Sequence, residues 1–339
     1  MSATTTAASL EHVIGPEGLF VLNVRDGTVR LRGTDGDAVR VTDSDGDPAD
    51  HFLVERGEGS LALRAVKGLR IRVGKGHGSG RSRLEVQVPR MATLVVESTR
   101  ADVTGEDVAG EQRYQTVSGD IDLDRVRGLV TIDAVSGDVR LNASGALRLR
   151  ARTVSGDLAA RAGRLDETII ATTSGDVSIA GELTPDGDHR IETVSGDTLL
   201  ALVGGARIEL STVTGDIDAN VPHRTEGGRD RRVLIVGDGR ARLSARSMSG
   251  DVRIVRPRPF ESGPDGAAEP VSPAPPAPPA EPGSTPSRDP SDAAIAAAYE
   301  EARLGILRSL ERGEIDVVEA GRRLEALDTA DVPGSDTDV

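Results

Sequence analysis

From His12 to Ser98, short runs alternate apolar and polar residues, among them FVLNV, TVRLRG, AVRVT, SLALRAV, RLEVQV and TLVVES, each bounded by Gly, Asp or Pro. Alternation with a period of two predicts strands with one buried face. DGDPAD and GKGHGSG read as the loops between them. From about Ala101 the period lengthens. Gly119, Gly137, Gly156, Gly175, Gly196 and Gly215 recur at intervals of 18, 19, 19, 21 and 19 residues, each inside a pentapeptide of the TVSGD type. A unit of that length cannot bury its own apolar face, so the self-similarity predicts a stacked solenoid. Thr104-Gly105-Glu106 reads as a degenerate first copy, and Ser249-Gly250-Asp251 as the last, displaced by an insertion containing PHRTEGGRDRR.

Strand alternation through Val117–Leu123 places Val117, Gly119, Ile121 and Leu123 inward and Ser118, Asp120 and Asp122 outward. The same register predicts inward Val135, Gly137, Val139 and Leu141, then Val154, Gly156 and Leu158. A second glycine falls near mid-unit, at Gly128, Gly145, Gly163, Gly181 and Gly204, which predicts at least two corners per coil. The expected fold class is therefore mainly β, a parallel β-helix or solenoid with coils of about 19 residues. Strands in such a stack lie about 4.8 Å apart. Equivalent Val, Ile and Leu side chains then form ladders along the axis.

The outward carboxylates Asp120, Asp138, Asp157, Asp176, Asp197, Asp216 and Asp251 should stack as well. Neighbours at that spacing repel by about 1 kcal/mol even in water. One reading makes them structural: each Asp, with its Ser or Thr, accepts backbone amides in an Asx-type turn. A second makes them a cation ladder, as in repeats where Asp and Gly alternate around calcium. Those repeats have a nine-residue period, however, whereas only one Asp is shared by every coil here. A third is a catalytic row, but glycan-cleaving solenoids carry their acids at a few unrepeated positions. The structural reading fits the residues best.

The remaining boundaries follow composition. Residues 1–11 are expected to be disordered, 12–100 to be a strand region capping the solenoid, and 101–256 to be the solenoid itself. The proline-rich stretch 257–290 reads as a disordered, semi-rigid linker. After Ser291-Asp292, a helix cap, Ile295, Tyr299, Ala302, Ile306 and Leu310 recur at helical spacing. Beyond Gly313 and a second cap at Asp316 come Val317, Ala320, Leu324 and Leu327, so 291–328 reads as a helical hairpin and 329–339 as a disordered tail. So small a hairpin needs a surface to dock on, which makes Ile295, Tyr299, Ile306, Leu310, Leu324 and Leu327 candidates for a protein partner or self-association.

Composition narrows the function. Only 1% of residues are aromatic, Trp is absent and Gly numbers 40, so the interior is built from Val, Ile, Leu and Ala, as a narrow solenoid requires. A net charge of −14 argues against a nucleic-acid partner, which needs a basic face. With Cys 0 there is no disulfide, thiolate metal site or cysteine nucleophile, consistent with a reducing compartment. The amino terminus lacks the basic and apolar regions of a secretory signal, and no apolar run approaches the roughly 20 residues of a membrane span. The expected location is cytoplasmic.

Asp43-Ser44-Asp45-Gly46-Asp47 begins like an EF-hand loop, but Pro48 and Val54 stand where Gly and Glu belong, so a polar turn is expected. The lysine of Gly74–Gly80 is followed by Gly76, which is not a phosphate-cradling motif. His12, His51, His77, His189 and His223 have no metal-motif spacing and no accompanying G-x-S-x-G serine. No catalytic, cofactor-binding or metal residues, and no enzymatic activity, are expected.

LEVQVP at Leu84–Pro89, then TLVVES, then successive TVSGDI-type coils resemble a bacterial β-strand-repeat family labelled as adhesins, a domain of unknown function, over roughly Phe20 to Val255. ILRSLERGEIDVVEAGRRLEALD, from Ile306 to Asp328, looks like the short helical hairpin of cell-envelope-stress relatives, which often carry it at the other end. The resemblance implies a non-enzymatic β-solenoid acting as a scaffold or interaction module, with links in some members to envelope stress. The alternative it leaves is a surface-exposed, adhesin-like protein that holds a glycan or cation.

Overall fold

The computed structural model describes residues 9–44, 46–65, 82–227 and 232–256. GKGHGSG, Asp45 and everything after Arg256, including the proline-rich stretch and the positions Ile295 to Leu327, lie outside the described residues. The described residues belong to one compact unit, 1–260. They are almost wholly strand, with a single short helix, Pro48–His51.

Each coil passes once along two facing sheets, turning at an SGD-type corner from the first sheet into the second. Segment 112–118 pairs in parallel with 130–136 in the first sheet, and 121–126 pairs with 139–143 in the second. The stack continues through 147–162, 164–183 and 189–203. Buried aliphatic columns fill the space between the sheets, as in Ile121, Val139, Leu158 and Val177, or Leu123, Leu141, Ala160 and Ile179. At the second corner the register shifts repeatedly, because its length varies from coil to coil.

Coiling begins at Leu19, well before the change of period at Ala101. Leu19–Thr34 already spans both sheets, pairing in parallel with Thr93–Glu106 along its whole length. At both ends the spatial order departs from the sequence. Coil 19–34 lies between strands 60–65 and 82–89 on one side and 93–106 on the other. Coil 241–254 lies between 189–203 and 206–219, so the last SGD copy in sequence is the penultimate one in space.

Thr104-Gly105-Glu106 is not a corner. Gly105 sits mid-strand opposite Leu31 and Leu123, where a Cβ would stand 2.8 Å from Leu123 Cδ2 and 3.3 Å from the Tyr114 hydroxyl. A side chain there would press first on Leu123 and then on Tyr114, the largest fully buried side chain. Burial raises the Tyr114 phenol well above its usual range. Its hydroxyl donates to Gln112 Oε1 at 3.1 Å, and the Gln112 amide donates to the carbonyls of Val108, Gly110 and Arg127.

Antiparallel strands cover the stack ends unevenly. At the end nearest the amino terminus, Phe52–Gly57 covers the first sheet, and Ala38–Asp43 with Ser9–Val13 the second. At the other end the insertion forms a hairpin, Arg232–Val236 and His223–Gly227, on the first sheet only. Among the described residues the second sheet stops at Ile217–Ala219, whose one strand partner there is Val252–Ile254. Arg253 lies within that interior strand, between Leu199 and Asp218.

His189 is buried where the first sheet begins its coil. Nε2 lies 3.0 Å from the Thr184 carbonyl, while Nδ1 has no partner. Burial lowers its pKa, against a weaker opposing pull from the Thr184 carbonyl and nearby carboxylates. The unfolded histidine, with a pKa near 6.5, therefore takes up a proton before the folded one does. Stability contributed by neutral His189 is present above that pH and lost as pH falls toward the lowered folded value. A melting series from pH 7.5 to 5 should decline less steeply in His189→Gln than in the wild type.

Candidate functional site

The repeated pentapeptides form one continuous column along the edge of the solenoid. In spatial order the corner glycines are Gly119, Gly137, Gly156, Gly175, Gly196, Gly250 and Gly215. All have strongly positive φ, as at Gly156 (120°) and Gly175 (128°). A Cβ on Gly175 would stand 2.7 Å from the Gly156 carbonyl carbon. Both the backbone conformation and the closeness of the coil beneath exclude a side chain.

The aspartates beside them form a main-chain relay between coils. Asp102 Oδ1 accepts the amide of Asp120, Asp120 that of Asp138, Asp138 that of Asp157, Asp157 that of Asp176, and Asp176 that of Asp197. Asp197 then accepts from Asp251, and Asp251 from Asp216. All seven bonds measure 2.8–3.1 Å. The amide accepted belongs to the neighbouring coil rather than to the same turn, which is where the arrangement differs from an Asx-type corner. Stacked carboxylates tolerate one another because each has a donor between itself and the next. Arg140 adds a bond to Asp138 at 3.2 Å, and Arg253 reaches Asp251 at 2.9 Å and Asp197 at 3.6 Å. The amide of Asp216, followed by Arg253, holds the Asp251 carboxyl below its usual range.

Replacing Asp157 separates hydrogen bonding from charge. Asp157→Asn keeps an Oδ1 acceptor, and its unfolding free energy should stay within a few tenths of a kcal/mol of the wild type. Asp157→Ala leaves the Asp176 amide without its partner and should cost about 0.5–1.5 kcal/mol in urea unfolding. Equal losses in both variants, together with stabilisation by calcium of the wild type but of neither variant, would instead indicate a cation ladder.

Inward and outward positions change parity at the corner. Thr116, Thr153, Thr172, Thr193 and Ser247 are buried, while the residues that follow them face out. Val117, Val135 and Val154 are therefore not core residues but half-buried members of an outer stripe. The positive-φ glycine breaks the alternation, so the inward set resumes at Ile121, Val139 and Leu158. Toward the far end the stripe emerges: Val194 is 45% exposed, Met248 58% and Val213 79%, in adjacent coils.

The EF-hand-like segment separates into two structural roles. Asp47 caps Pro48–His51 by accepting from the Ala49 amide at 2.9 Å, and buried Asp43 faces His51 Nδ1 at 3.2 Å. At the second corner Asp107 (φ 58°) and Arg125 (φ 52°) stack in left-handed conformation. Arg125 bonds Asp107 at 3.0 and 3.1 Å and also pairs with Glu106 and Asp124. That guanidinium holds the Asp107 carboxyl below its usual range. Asp186, Asp188, His189, Arg207 and Arg242 line a shallow groove of about 390 Å³, and Ser178, Leu199 and Arg253 another of about 240 Å³. Among the described residues no three His, Asp or Glu side chains converge as metal ligands.

The family model Toastrack DUF4097 matches residues 19–255, from the first coil to the end of the inserted one. The chain belongs to the Toastrack DUF4097 family. The Toastrack domain is a β-solenoid-like fold of unknown function, in keeping with the two-sheet stack. Three solved structures are similar to it. A putative cell adhesion protein from Clostridium sporogenes is 10% identical, with 74% of this chain and 99% of that one covered and a TM-score of 0.21. A putative adhesin from Bacteroides fragilis is 11% identical, covering 75% and 100%, with a TM-score of 0.25. A putative lipid binding protein from Parabacteroides distasonis is 14% identical, covering 75% and 98%, with a TM-score of 0.34. No curated protein matches the Toastrack chain in sequence. Among its described residues no helix is long and apolar enough to cross a membrane.

Proposed function

We propose that this Toastrack chain is a non-enzymatic scaffold, a rigid solenoid that presents side-chain ladders to protein partners in the cytoplasm, in the service of a cell-envelope stress response. The observation that carries the reading is the employment of the repeated carboxylates. Each Asp from Asp102 to Asp251 along the column spends an oxygen on the amide of the next coil, which makes the row a structural seam rather than a line of free acids. Both grooves are shallow and set guanidinium beside their carboxylates, Arg207 and Arg242 with Asp186, Asp188 and Glu209 in one and Arg253 with Asp176 and Asp197 in the other, where both acids already accept relay amides. Ile295, Tyr299, Ile306, Leu310, Leu324 and Leu327 supply a second contact set, for a partner or another copy of the chain.

Cell fractionation combined with ligand titration tests this role. Recovery in the soluble cytosol together with a stoichiometric protein partner is the expected result. Protease accessibility on intact cells, or saturable binding of calcium or a glycan to the purified chain, would overturn it in favour of an adhesin-like protein at the surface.

A further inference from the structure

The two sheets end at different heights. Among the described residues, beyond coil 206–219 the first sheet continues for two more strands, Arg232–Val236 and His223–Gly227, while the second stops at Ile217–Ala219. The overhang faces an open slot. His223, Arg224, Thr225 and Glu226 are all exposed, so nothing among the described residues lies opposite that strand. Ile217 and Ala219 occupy positions that are buried in coil after coil, at Ile121 and Leu123 or Val252 and Ile254, yet both are only half-buried here. Among the described residues the aliphatic columns end without a lid.

Among the described residues, backbone groups at this edge are unpaired as well. The Asp216 carbonyl accepts the Val252 amide, and the Asn220 amide donates to the Ile254 carbonyl, so the even-numbered residues face the inner neighbour. The odd-numbered Ile217 and Ala219 direct their N–H and C=O groups to the open side. Asp216 closes the relay: its own amide reaches Asp251, but among the described residues its carboxylate accepts no amide from a further coil. Asp216 and Asp218 are exposed, which places negative charge beside the edge.

We infer that this edge is a strand-acceptor site, occupied by an extended segment of a partner protein whose alternate residues are aliphatic and basic. Resting on the scaffold reading above, the inference names its docking surface and the chemistry of its partner. The incoming strand runs parallel to Ile217–Ala219. Its aliphatic residues cover Ile217 and Ala219 beneath the overhanging Leu234 and Val236. One of its amides reaches the Asp216 carboxylate, as at every earlier coil, and its Lys or Arg side chains lie outward beside Asp218. Main-chain bonds supply affinity and the alternating side chains supply selectivity. A second copy is the less suitable occupant, because pairing this edge with itself brings Asp216 and Asp218 of both chains together in a protein of net charge −14.

The probe is a ten-residue peptide of alternating Val and Lys, titrated into the full chain and followed by amide exchange and anisotropy. In the free protein the Ile217 and Ala219 amides should exchange rapidly while that of Asp218 is protected. Peptide binding should slow both. Ala219→Pro removes an open-side donor without touching the inner pairing and should weaken binding about tenfold, the equivalent of one lost hydrogen bond. Methylating alternate peptide nitrogens in one register should abolish binding, and in the other should not. Equal binding by both methylated peptides would overturn the site, since charge attraction alone would then suffice. Protection of Ile217 and Ala219 in the free chain would also overturn it, because another copy or another part of the chain would already hold the edge. Either failure leaves the fractionation and ligand tests of the scaffold role unaffected.

Discussion

Gly175→Ala should lower the unfolding free energy by more than about 4 kcal/mol, or prevent folding altogether. Two costs add at this position. The backbone has φ 128°, which an L side chain rarely adopts, and the new Cβ would press on the carbonyl of Gly156. Relief by local movement is blocked from both sides, since Gly196 stands over Gly175 as closely as Gly175 stands over Gly156. A shift of one corner would also stretch the amide bonds from Asp176 to Asp157 and from Asp197 to Asp176. Gly163→Ala provides the internal comparison. It lies at the opposite corner, with nothing within 4 Å of the added carbon and no left-handed backbone, and should be neutral or slightly stabilising. Urea unfolding of the two variants beside the wild type decides the matter. Equal tolerance would mean that the corner column is not held as tightly as its geometry requires.

The interval between SGD copies made the stack legible, because recurrence at 18 to 21 residues has few physical solutions other than coils that cover one another. Three features were not legible, each for its own reason. Val117 looks inward if alternation is carried through Gly119, but a glycine of φ 128° reverses the sense of the chain, and Thr116 is the buried residue. Counting five residues back from Ile121, Leu158 or Val177, instead of four, would have found the hydroxyl column of Thr116, Thr153 and Thr172. Thr104-Gly105-Glu106 imitates a corner in composition, yet Gly105 answers to Leu123 and Tyr114, neighbours that only the stack supplies. The order of coils at the two ends is a third case. Coils 19–34 and 241–254 carry the same pattern as their neighbours, and pattern cannot say which of two equivalent slots each fills. The insertion between Ala219 and Ala241 was the available sign that the chain travels before it coils again.

A chain ending at Arg240 should lose the organised far end of the solenoid, although only one coil has been removed from the repeat. Coil 241–254 fills a gap that the chain leaves between Val203 and Ala206, where Gly204 (φ 83°) and Gly205 carry it past one coil position. Removal takes away buried Leu243, Val252 and Ile254 and uncovers Ile191 and Leu200 on one side and Ile208 and Leu210 on the other. At about 1.5–3 kcal/mol for each large aliphatic side chain, the loss is on the order of 5 kcal/mol or more. The relay is cut at the same place, between Asp197 and Asp216. A chain ending at Arg256 keeps the coil and is the proper control. The shorter chain should be cleaved by protease beyond Val203, with faster amide exchange in 189–203 and little change in 112–162. Retained protection of 206–219 in the shorter chain would mean that this coil can drop directly onto 189–203. The swapped order would then be one of two packings of similar free energy, rather than the one that the Gly204-Gly205 connection and the terminal hairpin jointly impose.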